Sequence, residues 1–355
     1  MVLRSLMRAL GSDPKDTRNL TREEAFRAFS SVLSGGESEV TVGAFLTAMR
    51  WKGVTVEELA GFASAARMQA HIPCEGMPGL VTVSAPIDGH EQYPPLDAIA
   101  GIVAASAGAR VLLVSDRCVP PRRGLTAANV LEEVGLSMTW DPSEAEDWVA
   151  KGGFSAISVA GLLPALVSLR RVRGDVVMRT PLSTVEKLLA PPGSAVVMGA
   201  QRGPVLGIAV GVIQTLGHTR GAAIQGLEGS VIPQLRKKTR GVELSDGHLT
   251  PLTVEPSDFG LESNDEPQLP MFGPPEEGYG PSDNPALVQA AGEIGRAVID
   301  GDHGPARNAV LLASSVILKA SGRCLTLAEG VDAASKAIDD GAARERIGHL
   351  QSLIP

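Results

Sequence analysis

The sequence predicts an α/β protein in which a small all-helical N-terminal domain precedes a larger α/β domain with a mostly parallel sheet. Two observations predict this fold class. The first 70 residues show only helical periodicity, whereas short apolar segments alternate with helical stretches from residue 80 onward. We therefore assign residues 1–76 to the helical domain, with a helical contribution from about 160–190. Residues 77–355 form the α/β domain, which includes an acidic, proline-rich loop over 255–283.

Capping boxes mark the start of two N-terminal helices. Thr21 is followed three residues later by Glu24, and Thr55 is followed by Glu58 at the same spacing. Such a pair satisfies backbone amides that a helix start otherwise leaves free. Between these helices, apolar residues at the i, i+3, i+4 and i+7 positions of an amphipathic helix are Val42, Phe45, Leu46 and Met49.

The larger domain is predicted from apolar, β-branched segments bounded by glycine, proline or charged residues. Because these segments are apolar throughout and are separated by helices, the sheet they form should be mostly parallel and buried on both faces. The predicted strands are 80–85, 109–116, 154–159, 175–179, 194–200 and 222–226. The predicted C-terminal helices are roughly 284–299, 304–321, 326–339 and 341–351.

Composition and charge restrict the class of protein. The chain has no apolar run near the ~20 residues of a membrane span, and its N-terminus lacks the pattern of a secretory signal. Three scattered cysteines indicate reduced thiols, so we expect a cytoplasmic protein with no membrane partner. The net charge of −8 resides in 255–283, which carries eight acids and no Lys or Arg. The neutral remainder excludes a uniformly basic nucleic-acid-coating protein but permits a local basic cleft.

Both ends of the chain resemble the anthranilate phosphoribosyltransferase family. The N-terminal phrase runs from Gly43 through Met49-Arg50-Trp51-Lys52-Gly53, and residues 301–341 are similar to the last helices of that family. The phrase 256–261 matches as well. The resemblance implies a helical domain and an α/β domain joined by hinge segments, and a homodimer formed through the helical domain. Phe45 and Met49 are then candidates for core or interface positions.

The middle of the chain departs from the motifs that such enzymes use. Their Gly-Thr-Gly-Gly-Asp pyrophosphate loop corresponds to Ala85-Pro86-Ile87-Asp88-Gly89, where proline lacks an amide donor and the aspartate repels phosphate. Of their Lys-His-Gly-Asn-Arg motif only Arg117 remains. Their magnesium-binding Gly-Leu-Asp-Glu run corresponds to 229–232, where Val231 and Ile232 cannot ligate a hard cation. No cofactor is therefore expected, and magnesium only if transferase activity persists.

Candidate binding residues remain around the cleft that the resemblance predicts between the domains. Arg173 matches the family arginine that contacts anthranilate, and Gly226-Leu227-Glu228-Gly229 forms either a ligand turn or only the exit from a strand. Basic clusters make either a polyanion-binding groove or solvated loops paired with Asp116, Asp175 and Glu243. The candidate ligand-binding residues are Arg117, Arg173, Arg179, Gly226, Glu228 and Gly229. The candidate polyanion-binding residues are Arg122, Arg123, Arg170, Arg171, Arg236, Lys237, Lys238 and Arg240.

Two functions of different classes follow from these residues. The first is a non-enzymatic paralogue that binds nucleic acid or another phosphate-bearing ligand in the interdomain cleft. In this it resembles a divergent second group of the family that has lost the pyrophosphate glycines. The alternative is an active phosphoribosyl or glycosyl transferase with a rebuilt donor site; a purely structural or dimerising role is also open. No aromatic residue interleaves the basic clusters, so base stacking is not expected. Asp88 and His90 form either an acid/base pair or a surface turn, and catalytic residues are not assigned.

Overall fold

The N-terminal helices begin where the capping boxes predict. The computed structural model describes residues 2–11, 17–201, 203–271 and 279–354. In it, the Thr21 hydroxyl accepts from the Glu24 amide at 3.1 Å, and the Glu24 carboxylate accepts from the Thr21 amide at 2.9 Å. The helices of this part are α1 (Val2–Ala9), α2 (Arg22–Leu33), α3 (Glu39–Lys52) and α4 (Val56–Gln69).

The core of the helical domain is built on three phenylalanines. The ring of Phe62 lies 5.4 Å from that of Phe29 and 6.0 Å from that of Phe45, measured between centroids. Phe45 and Met49 are both 0% exposed in the isolated chain. They are therefore core positions, and their alternative assignment to a dimer interface is wrong because neither side chain reaches the surface.

A seven-stranded sheet forms the centre of the larger domain, in the order β3-β2-β1-β4-β5-β6-β7. The first five strands in this order are parallel, as predicted, and β6 and β7 are antiparallel to their neighbours. The strands are β1 (Leu80–Ser84), β2 (Arg110–Ser115), β3 (Phe154–Ser158), β4 (Ala195–Gly199), β5 (Gly221–Ile224), β6 (Thr239–Ser245) and β7 (His248–Val254).

Two features of the sheet differ from the sequence-based prediction. Residues 175–179 do not form a strand, because the helix Arg170–Val176 ends there and Val177 takes a left-handed conformation with φ 58°. The β6–β7 hairpin was not predicted. Its strands are partly exposed and polar, as suits antiparallel strands at a sheet edge, and so lack the continuous apolar pattern of the inner strands.

Short helices between β3 and β4 pack against the N-terminal helices. Gly43 of α3 faces Val172 and Val176, and a Cβ at Gly43 would lie 3.4 Å from Val176. These side chains belong to the same apolar cluster as the phenylalanines of the helical domain. The short helices are α8 (Val159–Leu162), α9 (Ala165–Ser168), α10 (Arg170–Val176) and α11 (Leu182–Val185).

The remaining helices cover the sheet, and the four at the C-terminal end begin and end close to the predicted positions. Among the described residues, no helix combines the length and the apolar content needed to cross a membrane. Of the acidic loop, 272–278 lies outside the described residues, and with it Glu276 and Glu277. These helices are α5 (Asp97–Ser106), α6 (Ala127–Glu133), α7 (Pro142–Gly152), α12 (Gly203–Thr215), α13 (Pro285–Asp300), α14 (Pro305–Ser321), α15 (Leu327–Asp339) and α16 (Ala342–Leu353).

Candidate functional site

A cleft of about 2000 Å³ opens where the strand order of the sheet reverses, between β1 and β4. The carboxyl ends of neighbouring parallel strands diverge at such a point and leave a crevice for ligands. The walls include Arg50 and Trp51 of α3, the loop 86–93 after β1, the segment 177–187, residues 198–201 at the end of β4, and residues within 268–271 and 279–287. The cleft therefore lies between the helical and the α/β domains.

The loop after β1 places an aspartate and an arginine in contact at the cleft. Both oxygens of Asp88 accept from Arg179, from Nε and from Nη2, at 2.6 Å each. Asp88 therefore pairs with Arg179 and not with His90, so the acid/base alternative is wrong. The other alternative, a turn on the surface, is wrong in its position, because Asp88 and His90 are 2% and 0% exposed. His90 is fully buried, and desolvation lowers the pKa of its imidazole. The neighbouring Ile87 is only 5% exposed, so the loop contributes an apolar and ion-paired wall.

The carboxylate of Glu228 accepts hydrogen bonds from four donors, three of which belong to the loop after β1. Its carboxylate accepts from the backbone amides of Glu91, Gln92 and Tyr93 at 3.1–3.2 Å. The Arg122 guanidinium adds a fourth donor at 3.2 Å. Glu228 has a φ of 50°, in the left-handed region that favours glycine. The carboxylate is thus satisfied by the protein itself.

The glycines that flank Glu228 are required by the turn. A Cβ at Gly226 would lie 2.2 Å from the Ser230 carbonyl oxygen, and Gly229 has a φ of 87°. Gly229 lines the cleft, whereas Gly226 does not. The structure thus gives Gly226 a conformational role, and its ligand-binding role stays a prediction.

The residues at the magnesium position of the family do not fit a metal ion. Val231 and Ile232 are 0% and 1% exposed and belong to the apolar core of the α/β domain. Asp97, the nearby acid, accepts from the Val231 amide at 3.0 Å. Within the described part of the chain, no three His, Cys, Asp or Glu side chains are grouped so that they could hold a metal ion.

Lys187 is a cleft residue that the sequence did not indicate. Its ammonium donates to the carbonyl oxygens of Gly199 and Gly229 at 2.8 Å each. Burial, and then the nearby Arg179 charge, lower the pKa of the amine to about 8. The one available signal was that Glu186-Lys187 stands where the family has Gly-Pro, and this signal points to no role by itself.

Arg173 is not positioned to bind a ligand in the cleft. It is 5% exposed and forms a buried ion pair with Glu186, while its Nε donates to the Pro120 carbonyl oxygen at 2.9 Å. Burial raises the pKa of Glu186 to about 7, although the Arg173 charge opposes this rise. The predicted contact between Arg173 and a ligand is contradicted, because its guanidinium is already occupied inside the protein.

Most other predicted cations are paired with carboxylates. Two of the expected acidic partners are confirmed, since Arg170 contacts Asp116 at 3.0 Å and Arg171 lies 3.9 Å from Asp175. The third is wrong, because Glu243 pairs with Lys319. The remaining pairs are Arg117 with Glu132 and Arg123 with Asp283.

The last basic cluster, Arg236, Lys237, Lys238 and Arg240, is exposed, and none of its side chains forms an ion pair within the described residues. We call it the 236–240 segment. Glu266 accepts from the backbone amides of Leu235 and Arg236 at 2.9 and 3.2 Å and thereby holds the start of this segment.

The three basic clusters do not converge on the cleft. Of the predicted binding residues, only Arg122, Arg179 and Gly229 line it. The expectation of one common groove is therefore wrong. The reason is that most of these arginines are held by carboxylates, whereas the 236–240 segment leads into β6, which pairs with β5 and β7.

Aromatic side chains line the cleft, although none interleaves the basic clusters in sequence. Trp51 is 79% exposed and Tyr279 is 61% exposed, and Tyr93 lines the cleft with them. They come from three distant parts of the chain, so sequence spacing could not bring them together. The expectation concerned the basic clusters and not the cleft, and the absence of base stacking at those clusters stays a prediction.

The two domains of this fold each match a domain of one glycosyl transferase family. The helical bundle domain of the glycosyl transferase family matches residues 4–70, and the α/β domain of that family matches residues 96–344. Together with the relatives described next, these matches show that the chain belongs to the anthranilate phosphoribosyltransferase family.

Relatives and solved structures agree with this assignment. The anthranilate phosphoribosyltransferase of Anaeromyxobacter dehalogenans is 30% identical over 94% of this chain and 94% of its own length. That of Lacticaseibacillus paracasei is 29% identical over 94% and 93%. The crystal structure of the Thermus thermophilus enzyme covers 99% of this chain and 98% of its own, with a TM-score of 0.79 and 22% identity. The Saccharomyces cerevisiae enzyme, solved with PRPP and Mg, covers 99% and 97%, with a TM-score of 0.80 and 17% identity.

Proposed function

We propose that this chain binds nucleic acid through the phosphate backbone on the 236–240 segment and does not transfer phosphoribosyl groups. The observation that supports this proposal is that the four cations of the 236–240 segment are exposed and form no ion pair within the described residues. Arg236, Lys237, Lys238 and Arg240 are exposed without an ion-pair partner among the described residues, whereas the other predicted cations are held by carboxylates. Free guanidinium and ammonium groups on one short segment suit phosphate contacts.

The geometry of the cleft supports the absence of transferase activity. Val231 and Ile232 are buried apolar residues where the family binds magnesium, and Asp88 occupies Arg179. Glu228 occupies the amides of the loop after β1. A substrate that carries pyrophosphate needs cations and free amides in the cleft. Asp88 and Glu228 occupy these groups and would repel the pyrophosphate.

The second candidate is an active phosphoribosyl or glycosyl transferase with a rebuilt donor site. Its support is the name of the relatives, which are anthranilate phosphoribosyltransferases over nearly the whole chain. In this candidate a phosphate-bearing small molecule binds in the cleft beside Lys187, with magnesium supplied by the substrate complex. The transferase assay described in the Discussion separates the two candidates.

We further infer a homodimer located in the cytoplasm. The support for the compartment is that Cys74, Cys118 and Cys324 are all free thiols in the structure. The support for the dimer is the resemblance of the helical domain to a family that dimerises through it. Val40 and Met68 of this domain are 82% and 67% exposed apolar side chains.

An electrophoretic shift assay with short DNA and RNA at about 50 mM salt tests the nucleic-acid proposal. We expect retardation at micromolar protein, with affinity that falls steeply with salt because each contacted phosphate releases counterions. The variant R236A/K237A/K238A/R240A should lose most binding. A charge-matched control is R18A/K151A/K336A/R344A, which removes four exposed cations that are paired with carboxylates. Equal loss in both variants, or no retardation of the wild type, would show the proposal to be wrong.

A further inference from the structure

The amides of Glu91, Gln92 and Tyr93 point toward one side of their loop and meet there on a single carboxylate. Consecutive amides that converge in this way form the concave sites with which proteins bind phosphate and other oxyanions. Arg122 adds a guanidinium whose Nη1 lies 3.2 Å from the same group. The donors are thus those of an anion site, and its occupant is Glu228 of the same chain.

The placement of Glu228 requires an unusual backbone. Its φ of 50° is rare for a residue with a side chain, and it is adjacent to Gly229, whose φ is also positive. The side chain of Glu228 is only 10% exposed. The four donors offset this conformational cost, and they keep the carboxylate at the edge of the cleft.

The charged groups around the Glu228 carboxylate can neutralise only one anion. Arg122 is the cation in direct contact, and it also lies 3.6 Å from the Glu91 carboxylate. His90 Nδ1 lies 3.8 Å from Glu228, and desolvation lowers the pKa of that imidazole. A second anion could not enter beside Glu228 without repulsion.

We propose that the three amides and Arg122 form a phosphate site, and that Glu228 is a specificity determinant that fills the site and excludes phosphoryl groups of external ligands. This inference goes beyond the proposed function, because it concerns the cleft and not the 236–240 segment. Removal of the carboxylate should therefore create phosphate binding without affecting nucleic-acid binding.

The variant Glu228→Gly tests this inference directly, because glycine adopts a φ of 50° without strain and leaves the donors free. Asp246→Gly is the matched control, since Asp246 is also a non-glycine residue with positive φ, 47°, but lies in the exposed β6–β7 turn. The probe is inorganic pyrophosphate without metal, at constant ionic strength in chloride, measured by calorimetry. We expect the Glu228→Gly protein to bind at least tenfold more tightly than the wild type and the control.

Two further variants complete the test. In Glu228→Gly combined with Arg122→Ala, most of the gained affinity should be lost, because the charged donor is gone. Glu228→Asn shortens the side chain and removes its charge, and asparagine tolerates the left-handed backbone; this variant should bind pyrophosphate more tightly than the wild type even if the glycine variant folds poorly. The inference is wrong if neither Glu228 variant gains affinity, or if the wild type binds pyrophosphate as tightly as they do. Retardation of DNA should be unchanged in both variants, which keeps this result separate from the proposed function.

Discussion

Arg179 holds Asp88 at two points, with Nε–Oδ2 and Nη2–Oδ1 distances of 2.6 Å each. The side chain of Asp88 is 3% exposed and that of Arg179 is 20% exposed. The pair joins the loop after β1 to the segment after α10, on two walls of the cleft. Asp88 would therefore repel a phosphate group, and it also neutralises the charge of Arg179.

Asp88→Ala should lower the free energy of unfolding by about 2–3 kcal/mol, because it leaves a largely buried guanidinium without its acceptors. Urea denaturation at pH 7 measures this change. Asp147→Ala is the control, since its pair with Lys151 is exposed on both sides and should contribute no more than about 0.5 kcal/mol. Equal effects of the two substitutions would contradict the structural role of Asp88.

Lys187 should make stability depend on pH in the alkaline range. The pKa of its amine is lowered to about 8 from 10.5 in the folded chain. The unfolded chain therefore binds more protons between pH 8 and 10.5, and folding gains stability as pH rises through this window. Lys187→Met removes this gain. The free energy of unfolding of the wild type should therefore rise relative to that of the variant between pH 7 and pH 10. Lys336→Met, which removes an exposed lysine with a raised pKa, should show no such shift.

The buried pair of Arg173 and Glu186 predicts a second pH dependence. The raised pKa of Glu186, about 7, means that its contribution to stability is greatest at low pH and is lost as pH rises through 7. Arg173→Met removes the cation that opposes this rise, so the variant should lose more stability than the wild type between pH 5 and pH 8. The double variant Arg173→Met with Glu186→Leu, which buries no charge, should abolish the extra pH dependence. Parallel stability curves for wild type and Arg173→Met would contradict this role.

The chain should not make phosphoribosyl anthranilate at a useful rate. Without acidic ligands at 231–232, the electrostatic stabilisation that a metal provides to a phosphoribosyl donor is missing. We expect a rate at least about a hundredfold below that of the Anaeromyxobacter dehalogenans relative assayed in parallel. Growth of a tryptophan-requiring strain, rescued by this chain and abolished by Lys187→Met, would instead support the transferase candidate.

Light scattering should show a homodimer of twice the 36.8 kDa chain at micromolar concentration. Replacing the exposed apolar Val40 and Met68 by glutamate should shift the protein toward monomer, because an interface buries apolar surface. Glutamate at the exposed Leu325, far from the helical domain in sequence, is the control. A monomer peak for the wild type would contradict the dimer.

Local features of the sequence predicted most of the fold. The Thr21–Glu24 and Thr55–Glu58 capping boxes join residues three positions apart, so their hydrogen bonds depend little on the rest of the chain. Continuous apolar runs predicted the five parallel strands for the same reason. The prediction failed at 175–179, where an apolar run forms a helix end, and at the polar β6–β7 hairpin.

The site could be predicted only in part, because its contacts join residues far apart in the chain. Glu228 was singled out from a glycine-rich turn, yet its amide donors lie up to 137 residues away. Arg173 was singled out by resemblance as a ligand-binding residue, but in the tertiary structure it forms an ion pair with Glu186. For Lys187 the sequence showed only a departure from the family pattern and no role, since two carbonyl oxygens and burial define its environment.

The sequence by itself determined the class of fold, the positions of the capped helices and inner strands, and the apolar character of residues 231–232. These properties depend on residue type and on short-range periodicity. Only the tertiary structure decided which cations are free and which anion occupies the amides of the loop after β1. The physical reason is that ion pairing and burial depend on tertiary contacts between distant segments of the chain. The number of charged residues along the sequence does not specify those contacts.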